Sequence, residues 1–255
     1  MMAEKRGLKR LRDEMAQAWT IAVKDVRVYY LTPPMIMFGL ITPIFLFFSF
    51  SIKRQLGINQ GIARLLAMNT FFTASSAGPV IIPMERSART YDRLLAAPMS
   101  LATLLLGKTL VGAFFAAMVS SVSLSVGLLF LHLSVANAGL LLAALILSSL
   151  TFSAFGLVFA SIPAQSVGSI MMPSTLVRWP LLFISGIFVP LEEMGPWARA
   201  LSYFSPLTYA QDLMNHAVLG SGHMALWLDL AVLPVLLVAF LPPAARLHHR
   251  SRVLG

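Results

Sequence analysis

The residues able to do chemistry in this chain are few and lie in short, separate segments. Residues 85–93 form the most charged internal segment, Glu192 and Glu193 follow a long apolar run, and Arg178 lies inside one. His132, His216 and His223 show no metal-ligand spacing, so we interpret them as loop residues, and we expect Asp229 to snorkel to the membrane surface. These residue types favour charge pairing and polar recognition.

Several catalytic classes lack their motifs. The chain has no cysteine, which excludes disulfides, thiolate metal sites and cysteine nucleophiles. The motif Gly-x-x-x-x-Gly-Lys-Ser/Thr of phosphate-binding loops is absent, because Ala102 stands where Gly107-Lys108-Thr109 would need its first glycine. An intramembrane hydrolase would need a serine–histidine pair or a His-Glu-x-x-His helix, and neither occurs. We predict no enzymatic activity and no catalytic residue, metal or cofactor site in this chain.

Composition identifies the solvent as lipid. Hydrophobic residues make up 58% of the chain and charged residues 11%, whereas a soluble domain has about 25% charged residues. Backbone groups in hydrocarbon must be satisfied internally, and uninterrupted apolar runs of about twenty residues favour helices over barrels. The net charge of +9 comes from residues outside these runs, so no nucleic-acid partner is predicted. The sequence therefore predicts an all-α integral membrane protein.

Charge-poor runs predict six transmembrane helices, which are residues 34–52, 65–84, 106–131, 139–161, 169–190 and 224–244. The 69 residues from Thr109 to Val177 contain no Asp, Glu, Lys or Arg, which is too long for one crossing. Turn-rich residues near His132 and Pro163 divide this stretch. Arg178 should face a partner, a cavity or an interface, unless its span begins later and it snorkels.

The N-terminal 32 residues predict a cytoplasmic tail and an interfacial amphipathic helix. Apolar residues recur at helical spacing from residue 15 to residue 30, namely Trp19, Ala22, Val23, Val26 and Tyr30. Such a helix lies among lipid headgroups with its basic face toward anionic lipid. Fourteen Lys or Arg lie on one predicted side and four on the other. Both termini are therefore predicted to be cytoplasmic, in a multi-pass protein of the plasma membrane.

Two segments resemble a known family. Residues 85–98, followed by Gly107-Lys108, resemble the first cytoplasmic loop of the type 2 permease subunits of ATP-binding-cassette exporters. There Glu-Arg-Glu-x-Gly-Thr leads into Leu-x-x-Thr-Pro and then Gly-Lys; here Ser87 replaces the second glutamate and Arg89 the glycine. Residues 184–209 are similar to that family's signature after the fifth span, Ser-Gly-x-x-x-Pro-x-Glu-x-x-Pro-x-Trp and then Asn/Ser-Pro-Leu-Thr-Tyr. Daunorubicin-resistance and nodulation-type permeases are the members of the family that the segments suggest.

The resemblance implies a non-enzymatic export subunit. Two copies would form the pathway, with a broken hairpin on the outer side between the fifth and sixth spans, and separate ATPase subunits would bind ATP and Mg. Drugs, lipids and glycans are all candidate cargo. The coupling segment to the ATPase would be Glu85, Arg86, Arg89, Thr90, Tyr91, Asp92, Arg93, Leu94, Leu95 and Pro98, with Tyr91, Leu94 and Leu95 filling a groove on the partner. The outward gate would be Ser185, Gly186, Pro190, Glu192, Glu193, Pro196, Trp197, Pro206 and Tyr209.

Alternatives remain for each segment. Residues 85–98 also fit a solvated linker that anchors the third span, and residues 184–209 fit an exposed loop with an aromatic belt. The rival functions are a passive channel and a membrane assembly factor like the haem-export permeases of cytochrome maturation, whose first loop is similar.

Overall fold

The structure is a computed structural model of the chain. It describes residues 2–29, 32–37, 41–51, 57–96, 99–164 and 166–253. Within these helices it does not describe the side chains of residues 2–11, 46–48, 50, 51, 92, 95 and 249–253. All regular secondary structure in the described residues is helical, as the composition predicts.

Eleven α-helices lie in the described ranges. They are α1 (Met2–Tyr29), α2 (Pro33–Ile36), α3 (Thr42–Ser51), α4 (Ile58–Ser87), α5 (Tyr91–Ala96), α6 (Leu101–Phe130), α7 (Ala138–Ala160), α8 (Val167–Ile184), α9 (Pro196–Ser202), α10 (Pro206–Leu219) and α11 (Leu226–Val253). A 3₁₀ turn covers Leu191–Glu193.

Five of the described helices are long and apolar enough to cross a membrane: α4, α6, α7, α8 and residues 226–248 of α11. They match five of the six predicted spans. The other predicted span, residues 34–52, includes residues outside the description and is represented in part by α2 and α3. The chain is thus a multi-pass membrane protein.

Helix α4 is the centre of the bundle. Almost all of its residues are buried, and it contacts α6, α7, α8 and α10. Glycines allow these contacts to be close: a Cβ on Gly156 of α7 would lie 2.3 Å from the carbonyl oxygen of Ser75. A Cβ on Gly112 of α6 would lie 2.9 Å from the carbonyl oxygen of Ala74. Small residues therefore bring the backbones of three spans together, as membrane helices commonly require.

Apolar side chains cover the outside of the bundle. Met172 and Leu176 on α8 are 73% and 70% exposed, and Val235 on α11 is 65% exposed. In water such a surface would drive association, but in a bilayer lipid tails cover it.

Helix ends differ from the predicted span boundaries by five residues or more at the start of α4, the start of α6, the end of α8 and the end of α11. The fifth span ends at Ile184 rather than residue 190, because the chain leaves the helix through Gly186, whose φ of +88° suits glycine. The second span begins at Ile58 rather than residue 65. The first turns of this helix tolerate polar residues because their side chains bind to other elements. Asn59 Nδ2 donates to Ser134 Oγ at 2.5 Å, and the Arg64 guanidinium donates to the Ile187 carbonyl at 2.8 Å.

Helix α1 runs along α6 with a different face from the predicted stripe. Its buried positions include Ala18, Ile21, Ala22 and Asp25, whereas Trp19 is 64% exposed. The approach is closest at Gly107, where a Cβ would lie 2.9 Å from the Ala18 carbonyl oxygen.

Candidate functional site

A turn connects the C-terminal end of α4 to the short helix α5. Arg89 in this turn has a φ of +54°, in the left-handed region that favours glycine. This is the position at which the resembling family motif has glycine. The backbone N–H and the hydroxyl of Thr90 both bond to the Glu85 carbonyl, at 2.9 and 3.2 Å. The motif therefore encodes a tight reversal from α4 into α5.

Four charged side chains meet beside this turn, and we call them the charge cluster: Lys24, Asp25, Glu85 and Lys108. Lys108 Nζ lies 2.6 Å from Asp25 Oδ2 and 2.5 Å from Glu85 Oε2. Lys24 Nζ lies 2.6 Å from Asp25 Oδ1 and also contacts Glu85 Oε1. Two cations thus alternate with two carboxylates, and the cluster joins α1, α4 and α6.

The charge cluster is shielded from solvent except at one corner. Asp25 and Glu85 are fully buried, Lys108 is 2% exposed and the Lys24 side chain is 38% exposed. Burial alone would lower the pKa of Lys24, but its hydrogen bonds to Asp25 and Glu85 raise that pKa above its ordinary value. Lys24 therefore stays protonated and balances the second carboxylate at neutral pH.

Gly107 and Lys108 have separate structural roles. Gly107 lets α1 approach α6, and the next residue supplies the cation that holds Asp25 of α1. The Gly-Lys pair at the start of the third span is thus a docking point for the N-terminal helix.

A second set of contacts spreads from the same turn to the rest of the bundle. The Arg86 guanidinium donates to the Ile162 carbonyl, in the connection between α7 and α8, and stacks over the Tyr91 ring at 5.2 Å. The Tyr91 hydroxyl lies 3.1 Å from His248 Nδ1, near the end of α11. Residues 85–91 therefore contact α1, α6, the α7–α8 connection and α11.

The predicted coupling residues divide into buried and exposed groups. Glu85 and Tyr91 are buried inside the chain, and the role predicted for Tyr91, filling a partner's groove, stays a prediction. Arg89 and Arg93 are exposed, and Arg86, Thr90 and Leu94 are half-buried. The side chains of Asp92 and Leu95, and all of Pro98, lie outside the described residues.

The predicted outward hairpin corresponds to two short helices, α9 and α10, after a 3₁₀ turn. The Arg199 guanidinium donates to the carbonyls of Leu191 and Glu192 at 2.8 and 3.0 Å, which closes the first half. The second half is fixed to α8 by the Ser205 hydroxyl, 3.1 Å from the Leu181 carbonyl. Helix α10 then lies among α4, α7, α8 and α11.

The other predicted gate residues lie on both faces of this segment. Ser185, Pro206 and Tyr209 are buried, Gly186 and Pro190 are half-buried, and Glu192, Glu193, Pro196 and Trp197 are exposed. The Tyr209 hydroxyl donates to the Tyr203 carbonyl at 2.8 Å. A bond to its own backbone N–H, together with His223 at 2.7 Å, lowers the pKa of Glu192 below its ordinary value.

Arg178 is fully buried between α8 and α4. Its guanidinium lies 2.7 Å from Ser76 Oγ and 3.5 Å from Ser75 Oγ, and its Nε lies 3.3 Å from the Ser174 carbonyl. Hydroxyl and carbonyl oxygens, rather than a carboxylate of the described residues, thus solvate this cation.

Sequence reasoning missed two groups of residues. The sequence assigned Lys24 and Asp25 to a helix that faces lipid headgroups. The Gly107-Lys108 pair was the one sequence feature that drew attention to Lys108, which completes their charge cluster. His216 is not a loop residue but lies in α10, and Asp229 does not snorkel but is fully buried at the start of α11. Their pairing with Asp212 joins two helices, which no local spacing reveals.

The fold and this site define a multi-pass helical membrane protein in which buried charges join α1, α4 and α6 beside the turn that leads into α5. The chain belongs to the ABC-2 type transporter family, whose model matches residues 16–219. The resemblance found in the sequence is therefore confirmed.

Two relatives illustrate the likeness. The chain is 26% identical over 152 residues to the inner membrane transport permease YadH of Escherichia coli K12, which covers 60% of this chain and 59% of that protein. It is 30% identical over 105 residues to nodulation protein J of Rhizobium leguminosarum bv. viciae, which covers 41% and 40%. The chain spans about three-fifths of the length of YadH.

Proposed function

We propose that this chain is the membrane-spanning subunit of an ATP-driven exporter, and that α5 contacts a separate ATPase subunit. The observation that carries the proposal is the charge cluster, which fixes the segment next to α5 to two other helices. The cluster transmits movement of the ATPase into the bundle.

The transmission follows from connectivity. Five residues separate Glu85 from Tyr91, and a tight turn links them, so α5 cannot move independently of the end of α4. Glu85 holds α1 and α6 through Lys24 and Lys108, and Tyr91 contacts His248 of α11. A force on the exposed face of α5 is therefore shared among several spans.

Nucleotide binding belongs to the partner in this proposal. The chain has no phosphate-binding loop, so ATP and Mg would bind to the ATPase subunit. This subunit then supplies the pathway and not the hydrolysis.

We infer a sixth crossing from the ends of α4. At 1.5 Å per residue the 30 residues of α4 span about 45 Å. Helix α1 contacts the end of α4 that contains Glu85, yet the chain must enter α4 at Ile58, at the other end. The connection from α1 to α4, which contains α2 and α3, would therefore make the sixth crossing and leave both termini on the α5 side, the cytoplasmic side by the positive-inside rule.

The pathway would lie between two copies of this chain. An apolar groove of about 980 Å³ separates α2 from α8, and its lining includes Pro34, Met172 and Leu176. A second copy facing this groove would enclose space for an amphipathic or lipid-like cargo, and residues 185–209 would cap it on the outer side as the gate.

The experiment is copurification from native membranes followed by ATPase assays. Wild-type protein should copurify with a protein that carries a phosphate-binding loop, and should change its hydrolysis rate. Arg93→Glu on the exposed face of α5 should lose the partner, whereas Arg246→Glu, an exposed arginine on α11, should retain it.

A buried variant separates docking from transmission. Lys108→Gln should retain the ATPase but lose its stimulation, because the contact face is intact while the cluster is broken. Equal copurification of wild type and Arg93→Glu, with equal stimulation, would contradict the docking assignment.

A further inference from the structure

We propose that Asp212, His216 and Asp229 bind a divalent transition-metal ion of the Zn²⁺ class at the end of the bundle opposite the charge cluster. The site would clamp α10 to α11. It is separate from the coupling role proposed above, and its test needs no ATPase.

The three side chains already converge. Asp212 and His216 are one turn apart on α10, and Asp229 is in the first turn of α11. His216 Nε2 lies 3.8 Å from Asp212 Oδ2 and 3.9 Å from Asp229 Oδ2, and one ligand atom from each of the three residues lies within 4.8 Å of the others. Zn²⁺ binds such atoms at about 2.0–2.2 Å, which places two ligands of one ion about 3–4 Å apart. Small side-chain movements would therefore complete the coordination.

The environment of the Asp229 carboxylate suits a bound cation. It is fully buried, and neither of its carboxylate oxygens accepts a hydrogen bond from a described residue. Asp212, the neighbouring carboxylate, is 3% exposed and accepts bonds from the backbone N–H groups of His223 and Met224 at 2.6 and 2.7 Å. Burying two carboxyl groups side by side, one of them without a hydrogen-bond donor, is unfavourable unless a bound cation satisfies them.

The loop after α10 holds the histidine in place. A Cβ on Gly222 would lie 2.2 Å from His216 Nε2, so this glycine lets the loop close over the ring. The Met224 carbonyl oxygen lies 2.9 Å from the same nitrogen and accepts a hydrogen bond from its N–H in the metal-free form. When Nε2 binds the ion, the ring carries its one proton on Nδ1 instead, and the Met224 carbonyl becomes a further oxygen donor.

The site also has an entrance. Asp212 lines a polar cavity of about 90 Å³, and Glu192 and His223 are at its exposed side. One imidazole with two carboxylates and a carbonyl suits Zn²⁺, whereas Mg²⁺ and Ca²⁺ favour sites made of oxygen alone.

The test uses full-length protein with a tag that contains no histidine, purified in detergent, stripped with a chelator and titrated with Zn²⁺. We expect about one tightly held ion per chain after desalting, and a rise in the thermal unfolding midpoint that Mg²⁺ and Ca²⁺ do not produce. Asp229→Asn and His216→Gln should each weaken Zn²⁺ binding at least tenfold. His132→Ala is the matched control, because this exposed histidine follows α6 and is not one of the three proposed ligands, and it should bind Zn²⁺ as the wild type does.

Three outcomes would overturn the proposal. One is wild-type protein that holds no Zn²⁺. A second is an unchanged affinity in both variants, which would place the ion elsewhere, such as near His248 and His249. The third is an Asp229→Asn protein that unfolds at a higher temperature than the wild type in chelator while Zn²⁺ affects neither. That result would mean that Asp212 and Asp229 share a proton. Size-exclusion profiles matching the wild type would show that a loss of binding is not a loss of fold.

Discussion

Lys108 and Arg178 are buried cations of similar length with different surroundings. Lys108 contacts two carboxylates, whereas Arg178 contacts the hydroxyls of Ser75 and Ser76. An arginine near mid-bilayer costs about 2.5–3.5 kcal/mol on insertion scales, and hydroxyl oxygens offset that less fully than an ion pair does. Lys108 is therefore neutralised by carboxylates, whereas the fully buried Arg178 is solvated by neutral oxygens of α4 and α8.

The charge cluster predicts a non-additive double mutant. Lys108→Gln leaves two buried carboxylates with one cation and should lower the free energy of unfolding by about 3–5 kcal/mol, as breaking a buried ion pair does. Adding Asp25→Asn restores the balance of charge, so the double variant should lose less than Lys108→Gln alone. Unfolding in mixed detergent micelles, monitored by tryptophan fluorescence, measures this. Losses that simply add would show that the two side chains do not interact.

At the scale of helices, close backbone contacts hold the bundle together. Gly156→Ala would force Cβ against the Ser75 carbonyl and should lower stability by about 1–3 kcal/mol, since the clash is with backbone that cannot turn away. Gly168→Ala on α8 is the matched control, because a Cβ there has no neighbour within 4 Å. It should leave the unfolding midpoint unchanged or raise it, because alanine favours the helix by about 1 kcal/mol. Similar losses for both variants would contradict this packing argument.

The helices themselves were predictable to within three residues, apart from the starts of α4 and α6 and the ends of α8 and α11. Hydropathy depends on composition alone, so residues 139–161 identify α7 whatever they contact. The errors come from tertiary contacts: Asn59 and Arg64 extend α4 because Ser134 and Ile187 accept their hydrogen bonds. Such partners are more than 70 residues away and leave no periodic pattern.

The candidate site was predictable only in part, for the same reason. The motif at residues 85–98 located the segment, but it did not reveal that Glu85 and Tyr91 face inward. The sequence around Asp25 did not predict its ion pair, because its partner Lys108 lies 83 residues further along the chain. The Arg89 turn explains the motif's glycine only once its φ is known.

For the whole molecule, the proposed dimer predicts where two copies meet. Because the chain has no cysteine, Leu176→Cys beside the groove and Val235→Cys on α11 can be compared directly. With a membrane-permeant bis-maleimide, Leu176→Cys should give a covalent dimer on a denaturing gel. Val235→Cys, similarly exposed but away from the groove, should remain monomeric. Equal cross-linking at the two positions would contradict this arrangement of the pathway.

The charge cluster also has a consequence for biosynthesis. Its members come from residues 24, 25, 85 and 108, so a nascent chain acquires both carboxylates and one lysine before the second lysine is made. Lys24 alone does not balance the charges of Asp25 and Glu85. Docking of α1 onto α4 is therefore complete only when α6 supplies Lys108. Once residue 108 has been inserted, the N-terminal part of the protein is an electrically balanced unit. The spans after α6 can therefore add to a preformed core.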